Sequence, residues 1–581
     1  MTKIIEKIKT KRSIHYIFII IIGILVSIPL LWVQIKNGDD GSIHILRVIG
    51  LDSTLEKGAF PFLVYPYFCL DWGYAMTVFY SLIVAYVPYV LGLFSGSAII
   101  GLKLFTVLTT ILSGIFMYNF VNEVTKKKAV ALFAGIFYMV FPYRLENIYA
   151  RFAIGEFTAF VFIPIVFQGL YNLVNGDKKR HYYIAIGATG LILSHTISTE
   201  YTALFCLIYI IYNYKAFFKK DVIKKCAINI LFIILMTALY TIPMLEFEMS
   251  ADYTIFEPRA LRTSPEDAAK QSIDFWQFFK DKQVENPVSF ILGLPFLTTL
   301  LLGVFAYRKM DKKYKDFYIT SIILGCISLI MCTKIFPWEI MPNIMGTIQY
   351  PWRLLGFAFF FLIPVCSLNI YYTIQYIKRK NIQYIVYAIC IFILLVFTAK
   401  ELSVYKTEDL NLDKNYEQGV RSNLQIHYFS VNRDYMPYKA LIQQRKYLLN
   451  RGDNTYILKG NIDILNETKD ALHLEINFEN AEKDSELEIP YLFYPGYTIK
   501  LVYNNEEEKV EYSESEYGFM KVTIPENITE GKIIIDYTGT TIEKVAYLIS
   551  GLSVILFIIY IILYRRKFRK KDEEVLNINE K

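Results

Sequence analysis

The chain has 581 residues, of which 54% are hydrophobic and 16% aromatic, and its formal net charge is +7. The apolar residues come in long blocks, which excludes a soluble globular protein, because a block of roughly 18 or more apolar residues can span a membrane. The Lys and Arg residues cluster in short loops between these blocks, where they set membrane orientation, so the positive charge does not predict nucleic-acid binding. We therefore predict a polytopic α-helical membrane protein.

The first apolar block follows a basic N-terminus. Residues 3–12 carry several Lys and Arg, and the apolar run 13–33 is too long for a signal peptide and lacks a small-residue cleavage site. These features predict an uncleaved signal-anchor helix with a cytoplasmic N-terminus. The helix would deliver Asp39 and Asp40 to the outer face of the membrane.

The next apolar stretch, Ala75–Phe94, either crosses the membrane or lies at its surface. If it crossed, the basic loop 126–128 would lie outside, and every later basic loop would be inverted as well. If it lies at the interface, which Pro88 and Gly92 permit, all of these loops lie inside. We therefore predict an interfacial segment, with the basic loops 126–128, 178–180, 215–225, 308–315, 378–380 and 565–571 on the cytoplasmic side.

About twelve spans follow from the apolar blocks. They are predicted at 13–33, 98–121, 129–143, 157–174, 182–194, 201–214, 228–244, 288–307, 317–335, 354–377, 382–399 and 545–564. Several are short for a full bilayer, which predicts local thinning or a cover of protein around a cavity.

The region between the last two predicted spans has a different pattern. From about Tyr456 apolar and polar residues alternate, as in residues 472–478 and 532–537, with turn signals at Pro495-Gly496 and Asn504-Asn505. Period-two alternation indicates half-buried strands. We predict a multi-span membrane domain at 1–399, an extracytoplasmic β-sandwich-like domain at 400–543, a final transmembrane helix at 544–564 and a basic cytoplasmic tail at 565–581.

Ionisable residues of mixed sign gather in the predicted outer loops, whereas the inner loops carry mostly Lys. Arginine forks bind phosphate oxygens, and a carboxylate can take a proton from an alcohol. If the segment after the first span is helical from Asp40, then Asp40, His44 and Arg47 share one face. Helix capping and ordinary pairing at the interface are the alternative readings. No GxxxxGK[ST] phosphate loop occurs, which argues against nucleotide hydrolysis.

Three passages resemble a known family in their order and spacing. The first is 38–47 with Lys57–Pro61, Asp71–Tyr74 and Phe79-Tyr80; the second is Pro142–Arg151 with Gly155-Glu156; the third is Ser194-His195 with Gln349–Arg353. Together they resemble the bacterial membrane-protein family labelled 6-pyruvoyl-tetrahydropterin synthase-related. Pterin synthases hold zinc with three His, two of them closely spaced, and the six His of this chain include no such pair. We therefore do not predict zinc.

The predicted architecture resembles the GT-C glycosyltransferases, which transfer sugars from polyprenyl-phosphate carriers with a first-loop carboxylate as base. The resemblance implies that Asp40 or Asp39 is the general base, with His44 orienting it. It also implies a set of residues that bind the substrate and its phosphate, namely Arg47, Arg144, Arg151, Glu156, His195 and Arg353. No metal ligand set is predicted, and a divalent metal ion at Glu156 is left open.

The implied reaction moves a sugar from a polyprenyl-phosphate-linked donor to a glycan, lipid or protein acceptor of the cell envelope. The protein would lie in the plasma membrane with both termini cytoplasmic and have membrane lipid, but no nucleic acid, among its partners. One alternative is a non-catalytic envelope scaffold or glycan-binding protein, which leaves the outer charged cluster without a role. Another is a transporter or flippase for a lipid-linked solute, against which stand the scarcity of mid-span charges and the lack of a repeat.

Overall fold

The protein has a helical N-terminal part with several candidate membrane spans, a C-terminal β-sheet domain and a long final helix. The structure is a computed structural model. It describes residues 12–32, 35–36, 39–256, 264–280, 288–404, 411–412, 414–422, 434–442 and 451–579. The predicted basic N-terminus, 1–11, lies outside the described residues.

The helices are numbered in chain order. They are α1 Arg12–Trp32, α2 Gly41–Lys57, α3 Ile83–Leu93, α4 Ala98–Thr125, α5 Lys128–Val140, α6 Pro142–Tyr149, α7 Ile154–Val174, α8 Tyr183–Ile192, α9 Thr196–Tyr212, α10 Tyr214–Phe217, α11 Lys220–Ser250, α12 Pro265–Gln271, α13 Leu294–Leu301, α14 Gly303–Lys309, α15 Lys312–Cys332, α16 Leu355–Ile374, α17 Lys380–Val404, α18 Lys414–Ser422, α19 Tyr438–Ile442 and α20 Thr541–Asn579. Helix α16 is apolar on all sides and almost entirely buried, so it forms the centre of the helical part.

The strands are likewise numbered in chain order. They are β1 Ile35–Lys36, β2 Asn411–Leu412, β3 Tyr456–Lys459, β4 Asp463–Asp470, β5 His473–Glu479, β6 Glu486–Leu492, β7 Tyr497–Tyr503, β8 Glu506–Val510, β9 Tyr512–Glu514, β10 Phe519–Thr523 and β11 Gly531–Tyr537.

The predicted count of about twelve spans is larger than the number of helices long enough to cross a membrane. In the described ranges nine stretches are long and apolar enough, and one of them joins α5 and α6 as Lys128–Tyr149. Three predicted spans are the exceptions. Span 182–194 is α8 with 10 residues, 201–214 is α9 with 17, and 288–307 is divided between α13 and α14.

Local chemistry explains the shortened spans. Pro295 lies in the first turn of α13, where proline starts a helix, so the apolar residues before it are not helical. Helices of 10 and 17 residues are about 15 and 26 Å long at 1.5 Å per residue, shorter than the roughly 30 Å hydrocarbon core. Nine described stretches are therefore long enough for a crossing where about twelve spans were predicted, and the number of actual crossings stays a prediction.

The stretch Ala75–Phe94 contains only the 11-residue helix α3, whose length of about 16 Å is too small to cross a bilayer. Helix α3 packs closely on α4. A Cβ atom added to Gly101 of α4 would lie 2.1 Å from the backbone oxygen of Pro88 in α3. The glycine is therefore required for this close approach of two helices.

Several basic loops meet at one end of the helices. The Lys127 ammonium lies 3.5 Å from the Asp311 carboxylate, and the Arg180 guanidinium lies 3.8 Å from Glu123. Arg565 donates from Nε to the Tyr182 hydroxyl at 2.9 Å. We call the opposite end, where α1 ends and α4 and α7 begin, the cleft face.

The C-terminal domain consists of two antiparallel sheets, as the alternating sequence pattern predicts. Their strand orders are β3-β6-β10-β9 and β4-β5-β11-β7-β8. The domain contacts the loop between α2 and α3 through Trp72. The Trp72 carbonyl accepts a hydrogen bond from the Leu492 amide at 2.9 Å, and the Trp72 ring packs against Phe519. The first cleft-face loop and the β-sheet domain are therefore packed together.

Candidate functional site

A polar cleft with a volume of about 550 Å³ opens at the cleft face. Four of the nine residues predicted for the site line it: Asp39, Asp40, Arg151 and Arg353. The remaining walls come from the aromatic pair Tyr350 and Trp352, from Lys334, from residues 270–277 at and after the end of α12, and from Val288 and Phe290.

Arg151 connects the first loop to the helical part. It lies between α6 and α7, where Phe152 adopts a positive φ of 54° and turns the chain back. Its Nε donates to Asp39 Oδ2 at 2.9 Å, and its Nη1 donates to Asn147 Oδ1 at 2.6 Å and to Glu156 Oε2 at 3.1 Å. Its carbonyl accepts hydrogen bonds from the Asp39 and Asp40 amides. Arg151 therefore holds the Asp39-Asp40 turn in place.

Glu156 is a buried carboxylate in the first turn of α7, with an exposed fraction of 3%. Its Oε1 accepts a hydrogen bond from the Tyr143 hydroxyl at 2.5 Å, and its Oε2 is shared by Arg151 and by Arg353 Nε, which lies 3.8 Å away. A carboxylate so enclosed is stable only when it is paired and hydrogen-bonded. Both of its oxygens are engaged, so Glu156 orients the two arginines.

Asp40 occupies the position before α2 but makes no side-chain capping hydrogen bond. Unlike Asp39, it has no ion pair or side-chain hydrogen bond among the described residues. Burial raises the pKa of its carboxyl group above the usual value of 3.8, and the positive charges of Arg151 and Arg353 oppose that shift. Asp40 is thus the carboxyl group of the cleft that is available to a ligand.

His44 and Arg47 project from α2 into packed protein and do not line the cleft. Arg47 stacks on Tyr80, with its guanidinium carbon 3.4 Å from the ring centre, and donates to the Tyr435 hydroxyl at 3.1 Å. His44 Nδ1 lies 3.5 Å from Arg47 Nη1. Burial, with the nearby Arg47 charge, holds the His44 pKa well below its usual value, so its ring is neutral.

His195 caps α9, because its Nδ1 accepts a hydrogen bond from the Ser198 amide at 3.2 Å. Burial lowers its pKa to about 3, and Arg353 adds to the shift. The ring is therefore neutral, with its proton on Nε2. It also packs on the start of α7: a Cβ atom added to Gly155 would lie 2.8 Å from His195 Cδ2 and 2.9 Å from the Tyr80 hydroxyl.

Arg144 lies away from the cleft. It is fully buried and donates to the Phe157 carbonyl at 2.9 Å and to Thr110 Oγ1 at 3.3 Å, where it connects α6 with α7 and α4. It therefore has the contacts of a residue that stabilises helix packing.

Sequence reasoning missed three polar neighbours of the site, Tyr143, Asn147 and Tyr435. The first two lie in the passage Pro142–Arg151, and Asn147 precedes Arg151 by four residues, the spacing at which side chains meet along a helix, which here ends at Tyr149 just before Arg151. That spacing could have found Asn147. Tyr435 contacts Arg47 across 388 positions of sequence, which no local pattern indicates.

A metal ion was left open at Glu156. Among the residues that the structure describes, no group of three or more His, Cys, Asp or Glu side chains is placed to hold one. The oxygens of Glu156 already contact Tyr143, Arg151 and Arg353. The described residues therefore do not fit a metal at Glu156.

No family model matches the sequence, so the resemblance to the 6-pyruvoyl-tetrahydropterin synthase-related family is not supported. An uncharacterized protein of Lactococcus lactis subsp. cremoris (strain MG1363) is 24% identical over an alignment of 616 positions that covers 96% of each chain. A crystal structure of the Archaeoglobus fulgidus oligosaccharyltransferase, in complex with Zn and sulfate, matches with a TM-score of 0.38 and 14% identity. That match covers 71% of this chain and 57% of the archaeal one.

Proposed function

We propose that this protein is an integral-membrane glycosyltransferase with a GT-C-like architecture. It moves a sugar from a polyprenyl-phosphate carrier to a glycan, lipid or protein acceptor of the cell envelope, on the outer face of the plasma membrane. The observation that carries the proposal is the Asp40 carboxyl group, which lines a polar cleft beside Arg151 and Arg353. A carboxylate next to two guanidiniums can serve proton abstraction and phosphate binding in one site.

In this proposal Asp40, rather than Asp39, is the general base. Asp39 is held by Arg151 at 2.9 Å, whereas Asp40 has no such pair among the described residues. Asp40 takes the proton of an acceptor hydroxyl group as that oxygen attacks the sugar carbon, while the bond from this carbon to the phosphate oxygen breaks. Burial raises the pKa of the base toward the range in which proton abstraction is efficient.

Arg353 binds the phosphate of the leaving group. Its Nη1 is buried and donates no hydrogen bond within the described part of the chain, so it is free to donate to a ligand. Arg151 makes hydrogen bonds through Nε and Nη1, and Glu156 holds both arginines in place. The positive charges would stabilise the negative charge that develops on the departing phosphate. His44, Arg47, Arg144 and His195 are then supporting residues of this site.

A mass profile of polyprenyl-linked sugars and surface glycans tests the proposal. It compares cells that lack the protein, cells in which it is restored, and cells with Asp40→Asn. We expect cells that lack the protein and cells with Asp40→Asn to lose one sugar from a glycan and to accumulate its lipid-linked donor. The control is Asp470→Asn, which removes an exposed carboxylate of the β-sheet domain paired with Lys57, and it should restore the profile.

Three results would contradict this proposal, the first in the role of Asp40 and the other two in the reaction itself. Full restoration of the profile by Asp40→Asn would exclude Asp40 as the base. Unchanged profiles in all strains would favour the envelope scaffold, and a complete lipid-linked glycan retained on the inner leaflet would favour a transporter.

A further inference from the structure

An exposed apolar surface lies beside the cleft, on two segments that are not membrane-spanning helices. We call it the apolar lip. Its exposed fractions run from 44% at Phe275 to 78% at Ile344. Its members are Phe275, Trp276, Phe279, Ile335, Ile340 and Ile344. A contiguous exposed apolar surface marks an interaction site in most proteins.

The two segments of the lip form one unit. The Ile273 amide donates to the Cys332 carbonyl at 3.1 Å, and the Lys334 amide donates to the Ile273 carbonyl at 3.0 Å. The Lys334 ammonium also lies 3.2 Å from the Asp274 carboxylate. The apolar side chains are therefore presented by a hydrogen-bonded framework.

The aromatic part of the lip is a formed turn. Residues Phe275–Phe278 make one turn of 3-10 helix, and the Gln277 side chain accepts a hydrogen bond from the Asp274 amide at 2.8 Å. Phe278 is buried, and its carbonyl accepts a hydrogen bond from Leu292. With Phe278 anchoring the turn, Trp276 on its other side stays 67% exposed.

The position of the lip indicates lipid as its partner. Ile335 follows three residues after Cys332, the end of one candidate span, and the next candidate span starts at Pro351, so this segment leaves the membrane and returns to it. On α15, the candidate span that runs directly into this segment, Ile323 and Ile330 are also exposed, at 51% and 46%, so the lip continues the apolar surface of a spanning helix. A protein partner would bind a bounded patch, whereas a lipid leaflet contacts the spanning helices and the lip together.

The composition of the lip fits the boundary between lipid chains and headgroups. Tryptophan is enriched at that boundary, and lysine side chains next to it reach the headgroup phosphates. Lys334 belongs to the lip framework and is more than half exposed, and Lys270 and Lys280 flank the aromatic turn. Aromatic rings beside lysines are typical of protein surfaces that contact lipid headgroups.

We propose that the apolar lip inserts into the lipid leaflet on the cleft face. Because Lys270, Asp274 and Gln277 on the same framework line the cleft, insertion places this wall of the cleft at the depth of the lipid headgroups. Insertion does not depend on the chemistry proposed for Asp40. The lip would hold the cleft at the membrane surface whatever reaction takes place there.

Trp276 supplies the test. The full-length protein is placed in lipid nanodiscs made with phosphatidylcholine brominated at defined carbons of the acyl chain. The fluorescence of the Trp276→Phe variant is subtracted from that of the wild type. We expect the Trp276 component to lose roughly half of its intensity or more to shallow bromines, and little to iodide in the water, because interfacial Trp lies near the headgroups.

Two added tryptophans provide a second test that does not rely on subtracting the fluorescence of the Trp276→Phe variant. In the Trp276→Phe background, Ile344→Trp adds a fluorophore to the second segment of the lip, and Leu465→Trp adds one to an exposed position of β4. We expect bromolipid to quench the first and iodide to quench the second. If iodide quenched both the Trp276 component and the component added by Ile344→Trp, with no effect of bromolipid on either, the proposal would be overturned.

Discussion

At the scale of single residues, Glu156 is stable in its buried position because its neighbours compensate its charge. Tyr143, Arg151 and Arg353 all approach its two oxygens. Removing the charge would leave two guanidiniums facing each other in a largely buried space, and a broken buried pair costs far more than a surface pair.

Glu156→Gln should therefore lower the free energy of unfolding by about 3–5 kcal/mol, the usual cost of removing one partner of a buried ion pair. Thermal unfolding of the purified protein in detergent measures the effect. The control Asp470→Asn breaks an exposed pair and should cost less than about 1 kcal/mol. Equal melting temperatures for the two variants would contradict the compensation described for Glu156.

Asp40 has the opposite relation between charge and stability. The pKa of Asp40 is raised in the folded protein. Its ionised form therefore lowers the free energy of unfolding at pH values above the pKa of Asp in the unfolded chain, and this loss disappears as the pH falls through the folded-state pKa. At neutral pH Asp40→Asn should therefore unfold at the same temperature as the wild type or a higher one. A marked drop in melting temperature would contradict this expectation.

The same shift predicts the pH dependence of the proposed transfer reaction. If ionised Asp40 is the base, the rate should fall on the acidic side at a pH above 3.8, the usual value for Asp. Arg353→Gln removes a charge that opposes the shift, so it should move this limb to higher pH as well as weaken binding. The pH profile of kcat/KM for the wild type and for Arg353→Gln measures this shift. If the rate fell at the same acidic pH in both proteins, the charge of Arg353 would have no effect on the pKa of Asp40.

At the scale of elements, the start of α7 lies against the turn between α8 and α9. Gly155 permits this contact, because a Cβ atom there would lie 2.8 Å from the His195 ring and 3.0 Å from the Ser194 carbonyl. Ring and backbone would both have to move. The packing of these elements places Glu156 and His195 near each other.

Gly155→Ala should cost about 1–3 kcal/mol of folding free energy, the usual cost of overpacking a core. Gly551→Ala is the matched control, since its added Cβ would meet no atom within 4 Å and alanine favours the helix α20. Thermal unfolding of both variants should show a loss for the first and none for the second. An unchanged melting temperature for Gly155→Ala would show that α7 can shift away from this turn.

At the scale of the whole molecule, the basic loops gather at one end of the helices and the cleft opens at the other. Lys and Arg in short loops keep those loops in the cytoplasm. We therefore expect the C-terminus, which follows the basic run Arg565–Lys567, to be cytoplasmic, and the β-sheet domain to be outside.

Reporter fusions measure this orientation. Alkaline phosphatase, which is active only after export, should be active when fused after Gly539 and inactive when fused after Lys567. Green fluorescent protein should give the reverse pattern. Phosphatase activity only in the fusion after Lys567 would invert the proposed topology.

The sequence by itself determined the class of this protein and the type of its main elements. Long apolar blocks and period-two alternation are local properties, so they predicted the helical part and the β-sheet domain directly from neighbouring residues. The predicted spans at 182–194, 201–214 and 288–307 contain shorter or divided helices, because the length of a helix also depends on prolines and packing. The mixed-charge residues of the predicted loops were candidates for one site, and Asp39, Arg151 and Glu156 do lie in contact.

Only the tertiary structure decided how those candidates are arranged. It pairs Arg151 with Asp39 rather than Asp40, directs Arg144 to Thr110 and Phe157, and brings Tyr435 to Arg47. It also joins the segments after α12 and α15 into the apolar lip. Hydrogen bonds and ion pairs form only between groups a few ångströms apart. The packing of distant parts of the chain decides which polar side chains come that close. Distance in space, which sequence periodicity does not encode, therefore selects the partners.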